Sequence, residues 1–186
     1  MRDSAMLNEA DEDACDGQYD EAFGKPQQSR GIDEGDDEAI ERLNLNDIAR
    51  EAAYSLKAQF PNLVFTSGKR DRATQARAMA GNVAQKRSWI TETYRTSVVK
   101  TACEEWLRDN PEATSTSDIQ AGLESVLEGF DDDELVHLSK HFSGGAFDVQ
   151  PATTDAEKIK AAIRSLPGKP VFLEKEGGLV RWHVQY

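Results

Sequence analysis

The sequence predicts an α+β fold, a small antiparallel sheet with helices packed on it, and three observations predict it. Short apolar runs bounded by turn residues occur at "LVFTSGKR", at "GAFDVQP" and in the C-terminal "VFLEKEGGLVRWHVQY". Between them lie segments whose apolar residues recur at helical spacing. The order along the chain is helix, strand, helices, strand, helix, hairpin, with no internal repeat.

The elements follow in turn. Asn46 caps a helix with Ile48, Ala52 and Leu56 on one face, and Pro61 ends it. "LVFTSGKR" is a short strand running into a turn at Gly68. "DRATQARAMAGNVAQ" is helical, and so is "TSVVKTACEEWLRDN", with Val98, Val99, Ala102 and Trp106 at helical spacing. Ser117 with Gln120 forms a capping-box pattern opening a helix through Leu127. The acidic "DDDE" introduces "LVHLSKHFSGG", and "GAFDVQP" is a strand. Thr154 with Glu157 caps a helix striped by Ile159, Ala162, Ile163 and Leu166. The remainder alternates across Gly177-Gly178 and is a β-hairpin.

The net charge of −12 is localised rather than general. Residues 1–41 hold 14 acidic and 3 basic side chains, and the other 145 residues are close to neutral. With few branched apolar residues, that stretch is expected to be an acidic, disordered solubilising tail, with a pro-segment or docking tail as the alternatives. Residues 42–186 form the folded domain. No basic stripe suits nucleic acid, and no apolar run approaches a membrane span. Cys15 and Cys103 do not make a disulfide framework, and the N-terminus lacks a secretory layout. The chain as given is expected to be cytoplasmic when synthesised.

The hairpin carries the first functional expectation. A two-residue Gly177-Gly178 loop pairs Glu176 with Leu179, Glu174 with Arg181 and Phe172 with His183. His183, Arg181, Glu174 and Glu176 then share one face, while Trp182, Val180, Val184, Leu173 and Val171 face the core. His141 and Asp148, joined to His183, would supply two imidazole nitrogens and one carboxylate oxygen. That set suits one Zn²⁺ and leaves a fourth position for water, which the ion acidifies to about pH 7. A carboxylate must then move protons, and Glu174 or Glu176 is placed to do so.

The stretch "SKHFSGGAFD" has the form Ser-x-His-x-x-Gly-x-Ala-x-Asp, through Ser139, His141, Gly144, Ala146 and Asp148. It resembles the zinc motif of the D-alanyl-D-alanine metallopeptidases, whose fold is shared with the hedgehog signalling domain and murein endopeptidases. "SGKRDRATQ" is similar to that family's Ser-Gly-Tyr-Arg segment, with Arg70 at the arginine and Gln75 following; "RWHVQ" resembles its terminal Trp-His element. The matches run from about residue 45 to residue 186. The resemblance implies a hedgehog-like or peptidase-like fold and a zinc-dependent peptidase acting on peptidoglycan stem peptides, as carboxypeptidase or endopeptidase. His141, Asp148 and His183 would be the ligands, and Arg70 would bind a substrate carboxylate or stabilise the oxyanion. Gly144 and Ala146 would let backbone approach the metal loop, and Ser139 would orient it.

The family pattern is not complete. The carboxylate that many relatives place three residues before the last histidine is replaced by Val180. Other branches place a glutamate at the end of the preceding strand, which makes Glu174 the expected base and Glu176 the reserve. Those branches carry a second histidine where this chain has Arg181. A cross-strand ion pair of Glu174 with Arg181 is the plainer alternative. His137 is expected to be a surface or supporting group. Residues 80–134 exceed the family's core and form a helical insertion, a lid or a partner surface; the acidic tail is the other candidate for a protein partner. With no secretion signal, the expectation is a phage-type protein carried in a virion or released to the cell wall. The alternative function is a catalytically degenerate zinc module that binds or builds.

Overall fold

The computed structural model describes residue 35 and residues 37–186. Cys15 and the acidic tail through residue 34 lie outside the described residues. The tail's expected last residues are part of the domain instead. They form a helical turn, α1 (Glu38–Glu41), capped by Asp37. Ile40 of that turn is buried in the core, and Glu41 accepts hydrogen bonds from Arg50 Nε at 2.7 Å and Tyr54 OH at 2.8 Å. The folded region therefore includes residues 37–41, ahead of the boundary expected at 42.

Helix α2 (Asp47–Gln59) opens at Asn46, whose Oδ1 accepts the Ala49 N–H at 3.0 Å. Ala49, Ala52, Ala53 and Leu56 form its buried face. Ile48, expected on that face, is 55% exposed, because one residue is a rotation of about 100° around a helix. After β1 (Phe65–Ser67) come α3 (Arg72–Gln85), α4 (Trp89–Thr93), α5 (Val98–Asp109), α6 (Thr116–Glu128) and α7 (Asp132–Leu138). Helix α5 shows the same one-residue rotation. It buries Val99, Cys103 and Leu107, and leaves the expected Val98 exposed. Helix α6 is capped by Ser115, two residues ahead of the expected Ser117. Helix α7 opens with a reciprocal capping box of Asp131 and Glu134.

Strand β2 (Ala146–Val149), helix α8 (Ala156–Arg164), β3 (Val171–Glu176) and β4 (Leu179–Gln185) complete the chain. Helix α8 starts at Asp155, a left-handed residue at φ 55° without a side-chain cap, so the expected Thr154 cap is not formed. The sheet has the order β1-β2-β4-β3 with every pairing antiparallel. This is the α+β architecture, a small antiparallel sheet covered by helices. Among the described residues, no helix is long and apolar enough to cross a membrane.

Two cores support the sheet and the cleft beside it. One joins α1, α2 and α8 to Phe147, Val149, Trp182 and Val184 of the sheet. The other lies among α3–α7 and contains Met79, Val99, Ile119, Leu123, Leu127 and Leu135. Alternation along the central strands decides what faces the cleft. Phe147 and Val149 point into the first core, and so do Trp182 and Val184, so Asp148 and His183 between them point the other way.

The hairpin register departs from expectation at one point. Glu176 pairs with Leu179 and Lys175 with Val180, but then Leu173, not Phe172, pairs with His183. Arg181 and Trp182 together stand opposite Glu174 alone, a β-bulge. Beyond it the strand faces are exchanged. Phe172 packs edge-on to Trp182 with ring centroids 6.4 Å apart, whereas Leu173 and Val171 line the cleft. Val171 and Val180, expected in the core, are exposed.

Candidate metal centre

The loop after α7 positions His141, the first candidate ligand. Ser139 ends the helix, and its Oγ accepts the His141 N–H at 3.3 Å. The His141 carbonyl accepts from Arg70 N at 3.0 Å and Gly144 N at 3.2 Å, tying this loop to the turn after β1. Gly144 adopts φ +73°, and a Cβ there would lie 2.8 Å from the Asn44 carbonyl oxygen. Its small size serves the approach of the α2 N-terminus, not the approach to the metal loop expected from its place in the motif.

Asp148 and His183 are direct partners across the β2–β4 ladder. His141 Nε2 lies 3.2 Å from His183 Nδ1. Asp148 Oδ1 is 2.8 Å from His183 Nδ1, and its Oδ2 is 3.4 Å from His141 Nε2. One ligand atom from each residue falls within 4.8 Å of the other two, so this group could bind a metal ion.

The hydrogen bonds on the outer side of each ring fix what faces inward. His141 Nδ1 sits 2.6 Å from the Gly68 carbonyl oxygen, which can only accept, so Nδ1 carries the proton and Nε2 of the neutral ring carries a lone pair. His183 Nε2 lies 3.1 Å from Gln185 Oε1, and its Nδ1 donates to Asp148 Oδ1 at 2.8 Å; burial pushes the ring's pKa down, but the Asp148 contact and the Glu176 charge outweigh it and hold it raised. The His141 Nε2 lone pair, the His183 Nδ1–H and the Asp148 carboxylate thus converge in a buried space, where a divalent cation would take the place of the Nδ1 proton. Ligands of a tetrahedral Zn²⁺ at roughly 2.0–2.1 Å stand about 3.3 Å apart, close to the separation of the two nitrogens. Each ring also has the outer hydrogen-bond acceptor that metal-binding histidines need for orientation.

Arg70 holds the far side of Asp148. Its Nη2 donates to Asp148 Oδ2, its Nε to Ser67 Oγ at 2.7 Å, and its Nη1 to Gln75 Oε1 at 3.2 Å. Gln75 is fully buried and donates from Nε2 to Tyr94 OH at 2.9 Å. Burial of Asp148 disfavours its charge, but the contacts with His141 and His183 and the charge of Arg70 outweigh it. Its carboxyl is held well below the usual range. Burial pushes His141 down, which keeps that ring neutral and able to coordinate.

The two glutamates part company. Glu174, the expected base, is turned by the bulge toward α8, where Lys160 Nζ reaches it at 2.8 Å and Arg164 pairs with it. It stands outside the cleft. Glu176, the reserve, lines the cleft. Burial pushes its carboxyl up, with Asp148 adding to the shift and His183, Arg70 and Arg181 opposing it. Arg181 does not pair with Glu174 either; its Nη2 donates to Asn82 Oδ1 at 2.8 Å.

The start of α4 and the C-cap of α3 fix the hairpin tip that carries Glu176. Trp89 Nε1 donates to the Glu176 carbonyl at 3.0 Å, and Lys86 Nζ donates to the Gly177 carbonyl at 3.0 Å. Gly177, at φ +54°, leaves room for the indole, since a Cβ would lie 2.3 Å from Trp89 Cδ1. Trp89, Lys86, Tyr94 and Ser67 carry no signal in the sequence for these roles. Gln185 does, because side chains two apart on a strand share a face with His183.

The histidines, Asp148, Arg70 and Glu176 border one open cleft of about 1280 Å³. His137, expected at the surface or in a supporting place, lines that cleft outside the ligand group. No family model, curated protein or solved structure matches the chain.

Proposed function

We propose that the chain is a zinc-dependent peptidase that hydrolyses peptidoglycan stem peptides, as the resemblance to the D-alanyl-D-alanine metallopeptidases implies. The observation that carries this is the convergence of two imidazole nitrogens and a carboxylate at the edge of an open cleft that also contains a half-buried glutamate. His141 through Nε2, His183 through Nδ1 and Asp148 would hold one Zn²⁺. When bound, such an ion polarises a substrate carbonyl and acidifies a coordinated water to about pH 7.

The chain's own residues account for the remaining requirements. Glu176 takes the proton from the attacking water and delivers it to the leaving amine, and its raised pKa suits both transfers. Arg70 fixes Asp148 and keeps it ionised, as a positioning group rather than the substrate anchor expected from the motif. Gln75 locks the Arg70 fork: the guanidinium can only donate, so it faces Gln75 Oε1, and Gln75 Nε2 is left to donate to Tyr94 OH.

The test is metal content together with digestion of purified muropeptides, read by mass. Wild type should hold about one zinc per chain and release a D-amino acid or a shortened stem peptide. Glu176→Gln should keep zinc and lose cleavage; His183→Ala should lose both. A non-catalytic zinc module is the second reading, favoured by Val180 at the family's usual carboxylate position. It predicts zinc in the wild type with every muropeptide left intact.

A further inference from the structure

A chain of hydrogen bonds leaves the metal centre and ends on an unused proton. It starts at Arg70, each of whose three nitrogens already donates, Nη2 to Asp148, Nε to Ser67 and Nη1 to Gln75. A guanidinium has no acceptor, so Gln75 receives on Oε1 and donates onward from Nε2 to Tyr94 OH at 2.9 Å. The Tyr94 oxygen is thus the acceptor of the last bond. Among the described residues its own O–H donates to nothing, whereas the Tyr54 hydroxyl of the other core donates to Glu41 at 2.8 Å. Every bond in the chain points the same way, from a cation toward Tyr94, and each polarises the next. The hydroxyl is left a strong donor that keeps its proton, because burial pushes its pKa up. Glu176 is the charge acting on it most, ahead of Arg70 and Asp148.

Tyr94 ends α4, is half-buried, and lines the cleft with His141, Asp148, His183 and Glu176. Trp89 braces its ring edge-on with centroids 5.5 Å apart, and the same indole donates to the Glu176 carbonyl. One residue therefore supports both the base and the hydroxyl. Thr93 beside it carries a second unmet hydroxyl in the cleft lining, since its buried Oγ1 has no partner among the described residues. That oxygen faces the hairpin turn, where a Cβ on Gly177 would lie 2.8 Å from it. Buried polar groups are normally paired, so two open hydroxyls in one corner mark where a ligand completes the bonding. Of the two, Tyr94 alone is tied to the ligand cluster, through Gln75 and Arg70.

We propose that Tyr94 donates its O–H to the carbonyl oxygen of the bound peptide as negative charge gathers there. This rests on the peptidase reading and adds the group that meets the reacting oxygen, a place the motif gives to Arg70. Water adds through its oxygen to the carbonyl carbon, the C=O π pair moves onto the carbonyl oxygen, and Glu176 takes the proton that water sheds. When the pair returns, the C–N bond breaks and Glu176 passes its proton to the amine. Tyr94 keeps its own proton throughout. A donor fixed in advance costs no reorganisation when the charge appears, so its effect falls on kcat and not on KM.

The experiment compares wild type, Tyr94→Phe and Thr93→Val as zinc-loaded full chains, with zinc content and melting temperature recorded. Tyr94→Phe keeps the ring on Trp89 and removes only the hydroxyl. The probes, titrated calorimetrically, are D-alanyl-D-alanine and its phosphinate analogue, whose tetrahedral, charged oxygens replace the flat peptide carbonyl. Tyr94→Phe should bind the phosphinate about tenfold more weakly or worse, and the dipeptide within about twofold of wild type. Thr93→Val should shift neither affinity beyond about twofold. On muropeptides, Tyr94→Phe should lower kcat by about 10²–10³-fold, with KM and the acid limb of the pH profile in place. Equal phosphinate affinity in wild type and Tyr94→Phe, no saturable phosphinate binding, or a larger loss in Thr93→Val would overturn the proposal. So would loss of zinc in Tyr94→Phe, which makes the residue structural, or a moved acid limb, which makes it a partner of Glu176. Failure of the peptidase reading looks different: phosphinate binding still depends on Tyr94, but wild type leaves every muropeptide uncut.

Discussion

The two halves of the domain reach the cleft by different physics. On the sheet side, Asp148 and His183 form one rung of the β2–β4 ladder, anchored by Phe147, Trp182 and Val184 in a core shared with α2 and α8. On the helical side, side chains make the join: Trp89 and Lys86 donate to hairpin carbonyls, Arg181 donates to Asn82, and Leu179 packs against the helical core. Ligand geometry is therefore set by backbone, while the position of Glu176 depends on a few long side chains. Damage to the helical half should slow turnover and spare the metal; damage to the ladder should remove both.

The largest effect expected within this comparison is at Glu176. Glu176→Gln should lower muropeptide hydrolysis by about 10²–10⁴-fold with zinc content unchanged. Glu174→Gln should leave turnover at the wild-type level, because its carboxylate is engaged by Lys160 and Arg164. The pH profile separates the same two residues. Burial raises Glu176, so activity should fall as pH drops through a value above the ordinary ~4.3 of glutamate. The ion pairs lower Glu174, so an acid limb below that value would point to Glu174 instead.

Next comes packing inside the helical half. Gly122→Ala forces a methyl group into the Trp106 ring and should cost about 1–3 kcal/mol in denaturant unfolding. Gly81→Ala, also in a helix interior, should stabilise by about 0.5–1 kcal/mol, since its Cβ meets open space. A destabilised Gly81→Ala protein would mean that the fold needs that glycine after all. A similarly small effect is expected at the join. Trp89→Phe keeps a ring against Gly177 but removes the N–H donor to Glu176, at about 1 kcal/mol. It should reduce kcat several-fold with KM and zinc unchanged; equal loss of zinc would show that the two halves are not separable.

The same division explains what was legible in the sequence. His141, Asp148 and His183 could be read because a motif and strand alternation both act over short range, and the structure brings those three together. The sheet, the hairpin and most helices follow from the same local rules. The choice between Glu174 and Glu176 was not legible, because it hangs on one bulge and on Lys160 and Arg164 from another element. Ile48 and Val98 were misassigned by one residue because a helix face shifts by about 100° per position, and only the neighbours decide which stripe is buried. Trp89 and Tyr94 gave no warning, since their partners lie on β3 and α3 and no local pattern links them.

The central claim is that three side chains from the α7–β2 loop and the β2–β4 ladder hold one divalent ion. Diffraction from zinc-loaded crystals, collected across the zinc absorption edge, tests it directly. A single anomalous peak bonded to His141 Nε2, His183 Nδ1 and an Asp148 oxygen, open to the cleft, is the predicted result. Crystals whose only zinc sits elsewhere, or whose His141 and His183 face each other across a bare hydrogen bond at saturating zinc, would contradict it.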